Sequence, residues 1–197
     1  MPEMSPDGLR IDVSQLVQRS VASLHAHLVT RPTGRAVRLA IETQLAEVGD
    51  PAVSLVDLSD VSILDFSCAD EVVAKLLQRY LPEDRPRNAF FVFRGVQARH
   101  RDPMEIVLRR QSLAAVAQGD DGEFMLVGER SPAEDHAWQA LESASQLSET
   151  HLHDEGDDTV LARGLQRLLA RRLLFQDPTR GDVYSLGHLV RRLENRA

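Results

Sequence analysis

The chain has 197 residues, one cysteine, and 30 acidic against 23 basic residues, for a net charge of −7. One cysteine excludes an internal disulfide and a multi-cysteine zinc site. The acidic balance argues against indiscriminate nucleic-acid binding by the whole chain, and no apolar run approaches the roughly 18 residues of a membrane span.

An apolar fraction of 43% with 27% charged residues fits a globular protein with an ordinary core. No secretory-type stretch follows Met1, so the expected location is the cytoplasm. Residues 1–8 read as a disordered tail and 9–13 as a short strand. From Ser14, the residues Val17, Val21, Leu24 and Leu28 share one helical stripe, which Thr30-Arg-Pro-Thr-Gly34 interrupts. A second helix near 34–48 aligns Val37, Ile41, Leu45 and Val48, and Gly49-Asp-Pro51 ends it because proline cannot continue a helix. Residues 53–58 read as a strand.

A short polar stretch follows, Asp65-Phe66-Ser67-Cys68, and opens into a helix over 68–81. Ala69, Val72, Val73, Leu76, Leu77 and Tyr80 form its inner face, and Asp70, Glu71, Lys75 and Gln78 its outer face. Glu71 and Lys75 are a favourable i, i+4 pair. Such a strand-to-helix junction suits recognition, because the first amides of a helix are unpaired donors. Ser67 has two readings here: a helix cap with Asp70 three residues on, or a phosphoacceptor. Cys68, in the first turn, is either a small packing residue or a thiol whose pKa the helix dipole lowers.

Residues 89–93 are apolar throughout, as a strand buried on both faces is. Asp102-Pro-Met-Glu105 is a capping box with proline at the first position, which predicts a helix from 103 to about 112. Residues 113–118 and 123–127 flank Gly-Asp-Asp-Gly as a β-hairpin, with a longer helix through 118 as the competing reading. A second capping box, Ser131-Pro-Ala-Glu134, starts another helix, and the domain boundary is expected at 128–131. Beyond it come helices over 133–142, 144–152 and 158–173, strands over 173–176 and 183–186, and a last helix to about 195.

Three helices followed by a two-stranded hairpin give the order of a winged helix-turn-helix. "GLQRLLARRLLFQDPTRGDVYSL" resembles winged-helix transcription regulators, whose third helix enters the DNA major groove. Arg163, Arg167 and Arg171 fall at i, i+4 and i+8, and Arg180 lies at the hairpin tip. Residues 159–197 hold eight basic and three acidic residues, a local excess of positive charge. Against DNA contact, Asp154, Glu155, Asp157 and Asp158 crowd the start of the third helix, where they suit its dipole instead.

The first part, through "LVTRPTGRAVRLAIETQL" and "VSLVDLSDVSILDFSCADEVVAKLL", resembles the STAS-like family, relatives of anti-sigma-factor antagonists. "FSCADE" is the most specific piece of that likeness. The resemblance implies an α/β domain with a central sheet and packed helices, working by protein contact rather than catalysis. It lays Ser67 on the serine that a partner kinase phosphorylates in the antagonists, with Phe66 and Cys68 replacing the first serine and the glycine of that turn.

The expected organisation is therefore a STAS-like α/β domain over 9–129 fused to a winged helix over 131–197. The partner-binding turn is Asp65, Phe66, Ser67, Cys68, Asp70 and Glu71, and Arg163, Arg167, Arg171 and Arg180 are the nucleic-acid candidates. A kinase-type or sensor protein, DNA, and a second copy in a homodimer are the expected partners, with no membrane, metal or cofactor. The function expected is regulation, with DNA-binding output in transcription or, alternatively, adaptor assembly without DNA. A small-molecule sensor is a third reading. No phosphate-binding glycine loop, HExxH or nucleophile elbow occurs, so no enzyme is expected.

Overall fold

The computed structural model describes residues 15–20, 27–152 and 159–195. The expected tail, the strand over 9–13 and the acidic run over 154–158 lie outside them. Five strands form the main sheet in the order β1 (Gln15–Ser20), β3 (Ala52–Asp57), β5 (Ala89–Arg94), β6 (Ala114–Gln118) and β7 (Phe124–Gly128). The first four run parallel, and β7 returns antiparallel to β6 as the expected hairpin. β2 (His27–Leu28) and β4 (Ile63–Leu64) make a separate parallel pair.

The strand order steps steadily across the sheet, so each crossover lies on the same face. α1 (Arg31–Ala46), α4 (Ala98–Arg110) and the helix after the junction cover that face. Val37, Ile41, Leu45, Cys68, Val72, Val73, Leu76 and Met104 pack there on Val56, Phe91, Phe93, Ala115 and Ala117. Strand side chains alternate between faces, and the other set is equally apolar: Val53, Leu55, Phe90, Val92, Val116 and Leu126.

The C-terminal segment covers this second face. It comprises α5 (Pro132–Ala144), β8 (Gln146–Leu147), a 3₁₀ turn (Glu149–Leu152), α6 (Thr159–Ala170), β9 (Leu174–Gln176), β10 (Val183–Ser185) and α7 (Leu186–Glu194). Trp138, Leu141, Leu165, Leu168, Phe175, Tyr184, Leu189 and Val190 share one core cluster with the sheet residues. The boundary expected at 128–131 thus does not separate two cores. Burial on both faces requires a layer on each side, and the described residues from Pro132 onward supply the second one.

Several local expectations change. Residues 15–20 form an edge strand rather than the start of a helix, paired residue for residue with β3. Thr30-Arg-Pro-Thr-Gly34 does not interrupt a helix. Thr30 caps α1, accepting from Thr33 N at 3.3 Å, with proline in the first turn. α4 begins at Ala98, a turn before the Asp102 box. Gln97 caps it reciprocally with the buried His100, whose Nε2 lies 2.7 Å from Val61 O. Pro103 then falls inside the helix. The helix expected over 144–152 is β8 and the 3₁₀ turn, because Ser145 takes a left-handed φ of 68° that ends α5. β8 then joins β10, giving a small antiparallel sheet in the order β8-β10-β9. The Ser131 box forms as expected: Ser131 N donates to Glu134 Oε2 at 2.7 Å, and Glu134 N to Ser131 Oγ at 3.3 Å.

Candidate functional site

Two strands of two residues each fix the junction. Asp65 N donates to Leu28 O at 2.8 Å, extending the β2–β4 pairing. Asp65 is extended (φ −84°, ψ 170°) and is itself the cap of α2 (Phe66–Ala69), its Oδ1 accepting from Cys68 N at 2.8 Å. Ser67 is therefore not the cap. It sits inside the first turn and donates its hydroxyl to Asp65 Oδ1 and Oδ2 at 2.9 and 3.1 Å. The helix starts two residues earlier than the apolar stripe indicates, and aspartate is as good an N-cap as serine.

Cys68 is fully buried, and its Sγ donates to Thr30 O at 2.9 Å. Burial, followed by the nearby Asp65 carboxylate, pushes its thiol up to about 11. The helix dipole does not make it a thiolate, and Cys68 is the small packing residue of the two readings.

α1 crosses the start of this helix closely. A Cβ on Gly34 would lie 2.9 Å from Cys68 Cα and 3.1 Å from Glu71 Cβ, so a glycine is needed at the crossing. The approach delivers Arg31 to the junction, where its Nη1 bonds Asp70 Oδ2 at 2.6 Å and Glu71 Oε1 at 3.0 Å. Gln111 Nε2, from just beyond α4, donates to Asp70 Oδ1 at 2.6 Å. Burial works against the Asp70 charge, but the bonds from Arg31 and Gln111 outweigh it and hold the carboxyl below its usual range.

Glu71 departs from its expected place on the outer face. Only 3% of it is exposed, because α1 lies over it with Arg31 and Arg38, the latter at 3.4 Å. Lys75 also pairs with it, as the i, i+4 spacing predicts. Burial opposes this charge too, yet the bonds from Lys75 and Arg31 lower its pKa. Residues Asp70–Lys75 form a π-helical stretch between α2 and α3 (Leu76–Tyr80), and such wide turns are frequent at functional sites.

Charge at the junction is thus neutralised inward, while apolar groups face out. Phe66 is 52% exposed and Ile63 48%. Arg31, Phe66, Ser67, Asp70, Arg110 and Gln111 rim a groove of about 380 Å³. All six expected turn residues are brought together, with Cys68 and Glu71 beneath the surface rather than on it. Arg31 and Gln111 complete the site. The first lies in the segment "LVTRPTGRAVRLAIETQL", whereas nothing in the local pattern singles out the second.

The four arginines of the C-terminal segment do not act alike. Arg163 and Arg167 are exposed on α6, and Arg180 is exposed in the hairpin turn. Arg171 instead binds the buried Glu134 at 2.6 Å and Glu129 O at 2.8 Å, so it is a structural clamp. Burial works against the Glu134 charge, but the bonds from Arg171 and Ser131 hold its pKa below the usual range. α6 packs tightly on α5, since a Cβ on Gly164 would overlap Ala133 O.

Among the described residues no three His, Cys, Asp or Glu side chains converge as metal ligands do. No helix among them is long and apolar enough to cross a membrane. No family model, no curated protein and no solved structure matches the chain.

Proposed function

We propose that this is a regulatory protein that works by contact. The Ile63–Glu71 junction would take a protein partner of the kinase or sensor kind, and residues 131–197 would act as a winged helix carrying the output. The observation that carries this reading is the exposed Phe66 beside the paired Arg31, Asp70 and Gln111. An aromatic anchor ringed by satisfied polar groups is the anatomy of a protein-recognition patch. The winged-helix part is supported by the succession of α5, the 3₁₀ turn, α6 and the β9–β10 hairpin, with β8 on the hairpin's far side.

A phosphate on Ser67 would end its donation to Asp65 and set a dianion against the carboxylates of Asp65 and Asp70, with Arg31 and Arg110 across the groove. That local rearrangement, at the rim of the partner patch, is the physical content of a serine switch. Affinity capture from the source cells tests the reading. One partner should bind wild type and Ser67→Ala, weaken with Ser67→Asp, and be lost with Phe66→Ala. A partner held equally by all four would refute the junction as the contact surface.

Two outputs compete for α6. Exposed Arg163, Arg167 and Arg180 favour DNA backbone contact. Engagement of Arg171 by Glu134 takes one arginine from that face and favours an adaptor. Selection from random duplexes at low salt decides: recovery of no bound DNA leaves the adaptor.

A further inference from the structure

Arg172 occupies a backbone position where glycine is the unstrained choice. α6 ends in a reversal in which Arg172 N donates to Leu169 O and Leu173 N to Leu168 O, each at 2.9 Å, and Arg172 has φ 58°. That left-handed position is usually glycine, so the arginine is held there for its side chain. The guanidinium reaches back to the sheet. Nε and Nη2 donate to Ala89 O at 3.3 and 3.0 Å, Nη2 also to Asn88 Oδ1 at 2.6 Å, and the group lies 4.1 Å over the Phe90 ring.

No carboxylate neutralises it among the described residues. The charge that acts on it is another cation, Arg85, and burial together with Arg85 pushes its pKa down to about 10, still protonated at neutral pH. Arg85 is half-buried in the turn before β5 and donates to Pro82 O at 3.0 Å. Glu83 and Asp84 precede it, both exposed, and neither forms an ion pair with it. Two like charges that line one groove without a counter-ion repel each other unless an anion completes them.

Both arginines line one groove of about 330 Å³ on the seam between the sheet and the C-terminal layer. Phe90, Phe175, Leu174 and Pro178 give it apolar walls, and Gln176 an amide. Apolar walls with a few convergent polar groups are the make-up of a small-molecule site, and the volume lies at the small end of that class.

We propose that this groove binds a small organic anion, with a phosphate-ester or carboxylate head held by Arg172 and Arg85 and a compact apolar body against Phe175 and Leu174. Guanidinium groups suit either head. Because residues of both layers line the groove, the ligand stabilises their docking and raises the unfolding temperature by mass action.

The test is calorimetric titration and thermal unfolding of the full chain with phenyl phosphate, phenylacetate and inorganic phosphate as probes. One of the two aromatic probes should bind saturably at one site, and the one that binds names the head. Inorganic phosphate, lacking the apolar body, should bind more weakly. Arg85→Gln should fold as wild type does and lose about tenfold or more in affinity, the worth of one charge-assisted contact. Arg172→Gly, which relieves the backbone, should lose as much. Three results would each overturn the proposal: no saturable binding of either aromatic probe up to about 10 mM, affinity unchanged in Arg85→Gln, or inorganic phosphate binding as tightly as the aromatic probe that binds.

Discussion

Gly34→Ala sets two effects of opposite sign against each other at the crossing that builds the candidate site. In a helix interior alanine is favoured over glycine by about 1 kcal/mol. The added Cβ, however, would sit 2.9 Å from Cys68 Cα, 3.1 Å from Glu71 Cβ and 3.3 Å from Cys68 O. Carbon atoms pack comfortably at about 3.5–4.0 Å, so α1 must retreat by roughly half an ångström or more. Two of the three atoms are backbone and cannot swing aside. Retreat also stretches the Cys68–Thr30 bond and the Arg31–Glu71 pair, now at 2.9 and 3.0 Å. Overpacking costs about 1–3 kcal/mol, and against fixed backbone the cost lies in the upper half of that range, about 2–3 kcal/mol, so that after the propensity gain the net loss is about 1–2 kcal/mol. Calorimetry should show Tm lower by roughly 2–8 °C for a chain of this size. A Gly34→Ala protein as stable as wild type, or more so, would refute the close crossing.

Arg171→Ala should destabilise by about 2–4 kcal/mol, because it strips the buried Glu134 of its cation. Arg163→Ala, on an exposed position, should stay within about 0.5 kcal/mol when both variants are compared by urea titration. Equal losses would show that Arg171 is no clamp. Cys68 should resist a thiol reagent in the native protein at mild alkaline pH and react fully once unfolded, given its burial and a thiol pKa of about 11; rapid native labelling would contradict this. Burial first, and Arg99 among the smaller causes, lower the His100 pKa below its ordinary 6.5. A base kept neutral in the fold stabilises fully above that unfolded value and progressively less as pH falls from it toward the folded pKa. His188 shifts the same way, through burial and then Arg192. Stability followed by denaturant titration should decline below about pH 6.5, and a His100→Gln, His188→Gln double variant should flatten that decline.

Signals held within one element are legible in the sequence alone. The apolar run over 89–93, the Gly-Asp-Asp-Gly hairpin and the Ser131 capping box each contain their own partners, and β5, the β6–β7 pair and α5 follow from them. β1 and β8 are not legible, because a strand of two to six residues is defined by its neighbour, and the paired residues are distant in sequence: Ala52 lies 37 residues from Gln15, and Val183 lies 36 residues from Leu147. The α4 start was obscured by two capping patterns in succession, and the one anchored on Val61 O prevails. A strand apolar on both faces needs two covering layers, so residues 89–93 imply a second layer, and the shared core identifies it as the C-terminal segment. At the site, the turn residues were visible as a cluster, but the burial of Glu71 depends on a helix crossing set by Gly34, some 37 residues earlier.

Hydrogen exchange on the protein bound to its captured partner tests the central claim most directly. Slowed amides should map to the junction, residues 63–75, and to the facing end of α4 near Arg110 and Gln111. Slowing confined to α6, with the junction exchanging as in the free chain, would contradict it.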